Sequence, residues 1–155
     1  MKNVLLVCMG NICRSPMAAA VARKLAGDAN LSQHWKFDSA GTHAHHAGER
    51  PDPRAAAALA SRNYTMGRIR SRRVVASDFQ QFDLILPMDA GNLAELERVC
   101  PPEHAGKLRL FLAFAEGLGE TEVPDPYYGN AAGFAHVLDL CEAGARGLMR
   151  HYAAT

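Results

Sequence analysis

The segment Val4-Leu5-Leu6-Val7-Cys8-Met9-Gly10-Asn11-Ile12-Cys13-Arg14-Ser15-Pro16 constrains this chain more than any other. It reads as a short apolar strand, a tight polar loop bounded by Cys8 and Arg14, and the start of a helix. Pro16 suits the first helical turn, where its missing N–H costs nothing, and Ser15 suits the cap before it. A loop between a strand and a helix aims backbone N–H groups, and the positive end of the helix dipole, at one point. That is the geometry of an anion site. Cys8 stands at its strand edge and Arg14 closes it from the helix side.

The rest of the chain supplies a frame for that loop. Met17 to Gly27 is Ala-rich and reads as a helix stopped by Gly27. Trp35 to Ala40 reads as a second strand, His43 to Pro53 as loop, and Arg54 to Arg62 as a helix with Asp52-Pro53 as its cap and first turn. Phe82 to Pro87 is a third strand, apolar enough to be buried on both faces, and Ala90 to Val99 a helix stopped by Cys100-Pro101-Pro102. Leu108-Arg109-Leu110-Phe111-Leu112 is the candidate fourth strand. From Ala131 to Tyr152 the pattern is helical, with Phe134, Val137, Leu138, Cys141, Ala145 and Leu148 on one face. Strands alternating with helices imply an α/β fold, here a twisted four-stranded parallel sheet with helices on both faces. The phosphate-binding loop then follows strand 1, and ligands sit beyond the carboxyl ends of the strands.

A length of 155 residues, 48% hydrophobic and 21% charged, fits one globular domain spanning residues 1–155. The net charge of +1 and the lack of a long basic run speak against a nucleic-acid partner. Arg68, Arg70, Arg72 and Arg73 are the densest basic group, read as a solvated surface or a dock for an acidic partner. No apolar run is long enough to span a bilayer, and the start lacks the pattern of a signal peptide, so a cytoplasmic protein without membrane insertion is expected. In that compartment Cys8, Cys13, Cys100 and Cys141 are expected as free thiols. Cys8 and Cys13 have no matching second pair for zinc.

A thiol is a strong nucleophile only as its thiolate, a form that cations and helix N-termini favour, and the loop offers Cys8 both. The same groups bind a phosphate dianion, since a guanidinium meets two phosphoryl oxygens at once. Such a site is set up for in-line attack on phosphorus, with the developing charge held by loop N–H groups and Arg14. The displacement needs an acid for the leaving oxygen. Asp125, in Val123-Pro124-Asp125-Pro126-Tyr127-Tyr128-Gly129, is the best candidate, although Asp-Pro by itself reads as a turn initiator.

Taken together, Cys8-x5-Arg14-Ser15, Asp38-Ser39-Ala40-Gly41-Thr42, Pro51-Asp52-Pro53-Arg54, Phe82-Asp83-Leu84-Ile85-Leu86-x-Met88-Asp89 and Asp125-Pro126-Tyr127-Tyr128-Gly129 resemble the low-molecular-weight protein tyrosine phosphatases, in the family's order. The resemblance implies Cys8 as nucleophile, Arg14 as phosphate clamp and Asp125 as general acid and then base. It implies a loop of Met9, Gly10, Asn11, Ile12 and Cys13 around the phosphate. Ser15 would bond the Cys8 sulfur, and Asn11 would hold the loop in shape, bonded to Ser39. Tyr127 and Tyr128 would flank the pocket, and Cys13 would pair reversibly with Cys8 under peroxide. The expected reaction is hydrolysis of phosphotyrosine and small aryl phosphates with no cofactor and no metal. It should be maximal at mildly acidic pH and inhibited by vanadate. The expected partner is a tyrosine-phosphorylated protein, with a bacterial autophosphorylating tyrosine kinase as one candidate. A monomer or weak dimer is expected.

Two departures from the family pattern stand out. An aromatic residue usually walls the pocket six positions after the Ser39 equivalent, where this chain has His45 within His43-Ala44-His45-His46. A three-histidine metal site is the alternative for that cluster, but no carboxylate partner stands in register. The family's His-basic-Ala-Arg before the third strand is Ile69-Arg70-Ser71-Arg72 here, so the histidine that supports the loop is absent or replaced. Among alternative activities, arsenate reductases on this fold relay electrons through two further closely spaced cysteines, whereas Cys100 and Cys141 lie far apart. Arginine phosphatases tend to carry Thr at the position of Ile12. A non-catalytic phosphopeptide-binding module would have lost Cys8 or Asp125, and both remain.

Overall fold

The computed structural model describes residues 1–153, so the last two positions of the expected 1–155 domain lie outside the described residues. The chain runs β1 (Lys2–Cys8), α1 (Arg14–Asp28), β2 (Trp35–Gly41), α2 (Pro53–Ala60), α3 (Asp78–Gln81), β3 (Leu84–Pro87), α4 (Ala90–Val99) and α5 (Ala131–Ala153). Two 3₁₀ turns, Pro102–Lys107 and Phe111–Phe114, lie between α4 and α5.

Three strands form a parallel sheet in the order β2-β1-β3. In register, Val7 stands beside Ala40 and Pro87, and Cys8 beside Gly41. Side chains alternate along β1. Val4, Leu6 and Cys8 join the large core formed with α1, α2 and α5, while Leu5 and Val7 join a smaller core with Phe79 of α3 and Leu96 of α4. Burying each Val or Leu of β1 is worth roughly 1.5–3 kcal/mol, so a one-residue slip that exchanged the faces would be costly. The register therefore fixes where Cys8 ends. Connections leave β1 for β2 on one side and reach β3 on the other, so the crevice at the carboxyl end of β1 is the switch point where ligands bind in such sheets.

Leu108–Leu112 is not a fourth strand. It makes one bridge, Ile85 to Leu108, with Arg109 N–H bonded to the Ile85 carbonyl at 3.3 Å. The backbone then turns into the second 3₁₀ segment, which buries Phe111, Leu112 and Phe114 together. An extended strand would send Phe111 and Leu112 to opposite faces. Gly147 of α5 makes room for this turn, because a Cβ there would lie 1.9 Å from the Phe114 carbonyl oxygen.

Helix α1 starts at Arg14, earlier than Pro16 suggests. Its N-cap is Cys13, and Ser15 is not the cap. Gly27 lies inside the helix instead of ending it. Helix α2 has the expected Asp52 cap, whose carboxylate accepts from Arg54 N–H at 2.8 Å. It ends at Ala60, two residues before Arg62, where Asn63 turns through a positive φ of 65°. The short α3 is absent from the sequence reading. No helix among the described residues is long and apolar enough to cross a membrane.

Candidate active site

From Cys8 to Cys13 the backbone leaves β1 and circles the N-terminus of α1, and its carbonyls are tied outward. The Cys8 carbonyl accepts from Thr42 N–H at 2.9 Å and that of Met9 from His43 N–H at 3.0 Å. The Gly10 carbonyl accepts from the Ser71 hydroxyl at 2.8 Å, Ile12 from Asp52 N–H at 2.8 Å, and Cys13 from Met17 N–H at 3.0 Å. In a trans peptide the following N–H points the opposite way. The N–H groups of Met9, Gly10, Asn11, Cys13 and Arg14 therefore turn toward the inside of the loop. Asn11 N–H donates to Cys8 Sγ at 3.3 Å. A ring of inward N–H groups over a thiol is a receptacle for a tetrahedral anion. Gly41 permits the close approach, since a Cβ there would lie 2.6 Å from the Met9 carbonyl oxygen.

Asn11 holds a left-handed φ of 58°, which costs a non-glycine residue roughly 1–2 kcal/mol. Its side chain is buried and fully engaged. Nδ2 donates to Ser15 Oγ at 2.9 Å and to Ser39 Oγ at 3.0 Å, while Oδ1 accepts from Arg72 N–H at 3.0 Å. With Asn11 donating to it, Ser15 Oγ has its own proton free for Cys8 Sγ at 3.1 Å or the Ala40 carbonyl at 3.4 Å. These bonds offset the strain and fix the loop in one shape.

Ile69 takes no part in that network and packs against the large core. The neighbouring segment gives the support. Ser71 is buried, its hydroxyl reaches Gly10, and its backbone is held by bonds to Gly48 and Glu49. The Arg72 guanidinium is pinned to Asp78 at 3.0 Å and to Asp38 at 3.3 Å. Ser71 went unnoticed in the sequence reading because one serine in a polar run carries no sign of a bond 61 residues away.

Arg14 is 3% exposed, and its head is anchored on one side. Nη1 donates to Asp89 at 2.6 Å and to the Val123 carbonyl at 3.1 Å, while Nη2 faces Asp125 at 3.8 Å. Burial opposes the charge, but Cys8, Asp89 and Asp125 outweigh it, so the Arg14 pKa lies above the ordinary arginine value. Asp89 also caps α4 through Asn92 N–H at 2.7 Å. It is the positioning residue that sequence reasoning missed, since Asp89-x-x-Asn92 looks like a simple helix cap. The segment bearing Asp125 is tied at Val123, whose N–H donates to the Met88 carbonyl at 2.8 Å, and at Asn130, which caps α5. Asp125 Oδ1 accepts from Tyr127 N–H at 3.0 Å, leaving Oδ2 toward Arg14.

Cys8, Met9, Gly10, Ile12, Cys13, Arg14, Asp125, His45, Tyr127 and Tyr128 line one cavity of about 450 Å³. Asn11, Ser15 and Ser39 lie behind its floor. His46, named in the sequence only within the three-histidine alternative, lines the cavity too and packs on Gly10, where a Cβ would stand 3.0 Å from its ring. Its Nδ1 meets Glu49 at 2.8 Å and its ring tilts toward Tyr127. The rings of His43 and His45 stack at 5.4 Å. Among the described residues no three His, Cys, Asp or Glu side chains are placed to hold a metal ion. A second concavity, of about 490 Å³ beside Lys2, Trp35 and Tyr152, has no cysteine and no arginine in its lining, so size alone does not select a site.

All four cysteines are free thiols. Burial, followed by the Asp52 carboxylate, pushes the Cys13 thiol far above its ordinary pKa, so Cys13 stays protonated beside Cys8. Cys141 is enclosed in the α5 core and Cys100 lies at the end of α4 on the other side of the sheet, an arrangement unsuited to an electron relay with Cys8.

Residues 3–155 match the family model described as low molecular weight phosphotyrosine protein phosphatase. A low molecular weight protein-tyrosine-phosphatase of Streptomyces coelicolor is 44% identical over 150 residues, covering 95% of this chain and 91% of the relative. A crystal structure of a protein tyrosine phosphatase from Entamoeba histolytica, with Hepes in its active site, superimposes with a TM-score of 0.96. It is 40% identical and covers 99% of this chain and 98% of that one. A Drosophila arginine phosphatase superimposes with a TM-score of 0.90 at 33% identity, covering 98% of each chain, so the backbone by itself does not select the phosphorylated amino acid.

Proposed function

The chain belongs to the low molecular weight phosphotyrosine protein phosphatase family, and on that premise we propose how its own residues share the hydrolysis of phosphotyrosine monoesters. The substrate phosphate enters the ring of loop N–H groups and is bonded by Arg14 Nη2, which faces Asp125 at 3.8 Å while Nη1 is held by Asp89 and Val123. Cys8 Sγ attacks phosphorus in line with the tyrosyl oxygen. A sulfur–phosphorus bond forms as the phosphorus–oxygen bond breaks, and protonated Asp125 gives its proton to the leaving oxygen. Asp125 then takes a proton from the attacking water. Phosphate leaves, and Cys8 departs as a thiolate that receives the Ser15 hydroxyl hydrogen bond. Charge on the equatorial oxygens is met throughout by N–H groups that need no reorganisation.

The observation that carries this reading is the meeting of Cys8, Arg14 and Asp125 in one cavity, with Asp125 more than a hundred positions along the chain. The domain of residues 1–155 acts as a unit on a tyrosine-phosphorylated protein, with a bacterial tyrosine kinase as a candidate substrate. Free thiols at all four cysteines suit a reducing compartment and support a cytoplasmic setting. The test is turnover of p-nitrophenyl phosphate in the presence of EDTA. Cys8→Ser should abolish it, and Asp125→Ala should lower kcat about 10²- to 10⁴-fold, the usual contribution of a positioned acid. Undiminished turnover in Cys8→Ser would refute the mechanism.

A further inference from the structure

The four arginines that stand together in sequence do different work in the structure. Arg72 is tied to Asp78 and Asp38, and Arg73 lies near Glu95 of α4. Arg68 and Arg70 meet Arg50 across another concavity, of about 390 Å³, lined also by Pro51, Gly67 and Ile69. No carboxylate lines it. Arg70 Nη1 reaches only the Gly48 carbonyl, at 3.5 Å, and neither Arg50 nor Arg68 has an ion-pair partner among the described residues. Glu49, the nearest acid in sequence, turns its carboxylate to His46 instead. Three exposed guanidinium groups around one hollow make a local positive patch that an anion from outside would complement.

The hollow and the catalytic cavity flank the same loop, residues 43–53. His45 and His46 line the catalytic side of the 43–53 loop, and Arg50 and Pro51 line the other side. Arg50 stands four positions after His46, a span of at most about 14 Å for extended chain. The segment bearing Arg70 continues into Ser71, which bonds Gly10 of the phosphate loop. A substrate chain leaving the catalytic cavity in extended form covers the same distance in about four or five residues. Guanidinium forks match carboxylates bidentately, and Ile69 with Pro51 offers apolar contact for the aliphatic part of a glutamate side chain.

We propose that Arg50, Arg68 and Arg70 form an accessory cleft that binds an acidic segment beside the phosphotyrosine of a protein substrate. The cleft thereby selects substrates by flanking charge. The proposal rests on the phosphotyrosine reading of the catalytic cavity and adds a second contact to it.

The experiment compares two sets of phosphotyrosine peptides, one with glutamates within five residues on either side and one with glutamines in their place. For the wild type, KM should be about tenfold lower for a glutamate peptide, the size expected of two or three exposed charge pairs acting together, with similar kcat. The preference should fade as salt is raised to about 0.5 M. In Arg50→Gln/Arg68→Gln/Arg70→Gln the two KM values should converge, and in the milder Arg68→Glu the ratio should fall at least threefold. Turnover of p-nitrophenyl phosphate, which has no flanking segment, should not change in either variant. A glutamate preference that survives the triple substitution, or no preference in the wild type at low salt, would overturn the cleft. Failure of the wild type to turn over p-nitrophenyl phosphate would instead overturn the phosphatase reading and take the cleft with it.

Discussion

Replacing Ser71 with alanine tests whether this chain has rebuilt the support of its phosphate loop. The substitution removes one 2.8 Å hydrogen bond and leaves the half-buried Gly10 carbonyl without its side-chain partner. Leaving such an acceptor unpaired costs roughly 1–3 kcal/mol. If all of that were felt in the transition state, kcat would fall about 5- to 150-fold. Some of it will appear as lost stability instead, at roughly 2–4 °C of Tm per kcal/mol for a domain of this size. The expected result is a kcat about tenfold lower on p-nitrophenyl phosphate, a Tm about 3 °C lower, and a smaller change in KM. Ser71→Thr keeps the hydroxyl and should stay near wild type. Ile69→His/Ser71→Ala restores the family-like pattern and should recover part of kcat. If Ser71→Ala retains kcat within twofold and Tm within about 1 °C, the Gly10 bond does not hold the loop and the reasoning fails.

Other outcomes follow from the same geometry. Asp89→Asn should weaken the Arg14 anchor while keeping the α4 cap, raising KM for phosphate esters and inorganic phosphate together, as inhibition assays would register. His45→Trp should lower KM for aryl phosphates by placing a larger ring on the cavity wall, and an unchanged KM would show that position 45 does not touch substrate. Tyr64 is buried and bonded to Glu142 at 2.5 Å, and burial, helped by that carboxylate, pushes its pKa up to about 12. The folded state thus holds this proton more tightly than the unfolded chain, so the contribution is complete below about pH 10 and is lost between pH 10 and 12. Thermal melts across that range should fall more steeply for wild type than for Tyr64→Phe. Peroxide-inactivated wild type should regain turnover with dithiothreitol, and Cys13→Ala should regain less, since without the partner thiol Cys8 is oxidised past the sulfenic acid to forms that thiols do not reduce.

What the sequence made readable was chiefly local. Asp52-Pro53 marked a helix start because a cap and a first-turn proline act over three residues, and Cys100-Pro101-Pro102 marked a helix end for the same reason. The face of α5 was legible from its period, with all six expected residues buried. That Cys8 and Arg14 share a cavity was legible because the strand–loop–helix chemistry around them is dense in one segment, and that Asp125 joins them only because of a family-like motif. Leu108–Leu112 misled because alternation of apolar and charged residues is common to a strand and to a 3₁₀ turn that buries Phe111, Leu112 and Phe114. The space allowed by Gly147, far along the chain, decides between them. Ser15 looked like a cap but serves the Cys8 sulfur, a choice that depends on Asn11 and Ala40. Ser71 and Asp89 stayed hidden for the same reason, since their partners lie 61 and 75 residues away.

The central claim, that Cys8 carries the phosphoryl group between tyrosine and water, is most directly tested by trapping that intermediate. Mixing the enzyme with p-nitrophenyl phosphate, quenching in acid within milliseconds and mapping peptides by mass should find one added phosphoryl group on the peptide containing Cys8. It should accumulate further in Asp125→Ala assayed with a good leaving group, where loss of the base slows attack by water, and be absent in Cys8→Ser. A phosphoryl group found on another residue, or turnover in Cys8→Ser with no phosphorylated peptide at all, would contradict the mechanism.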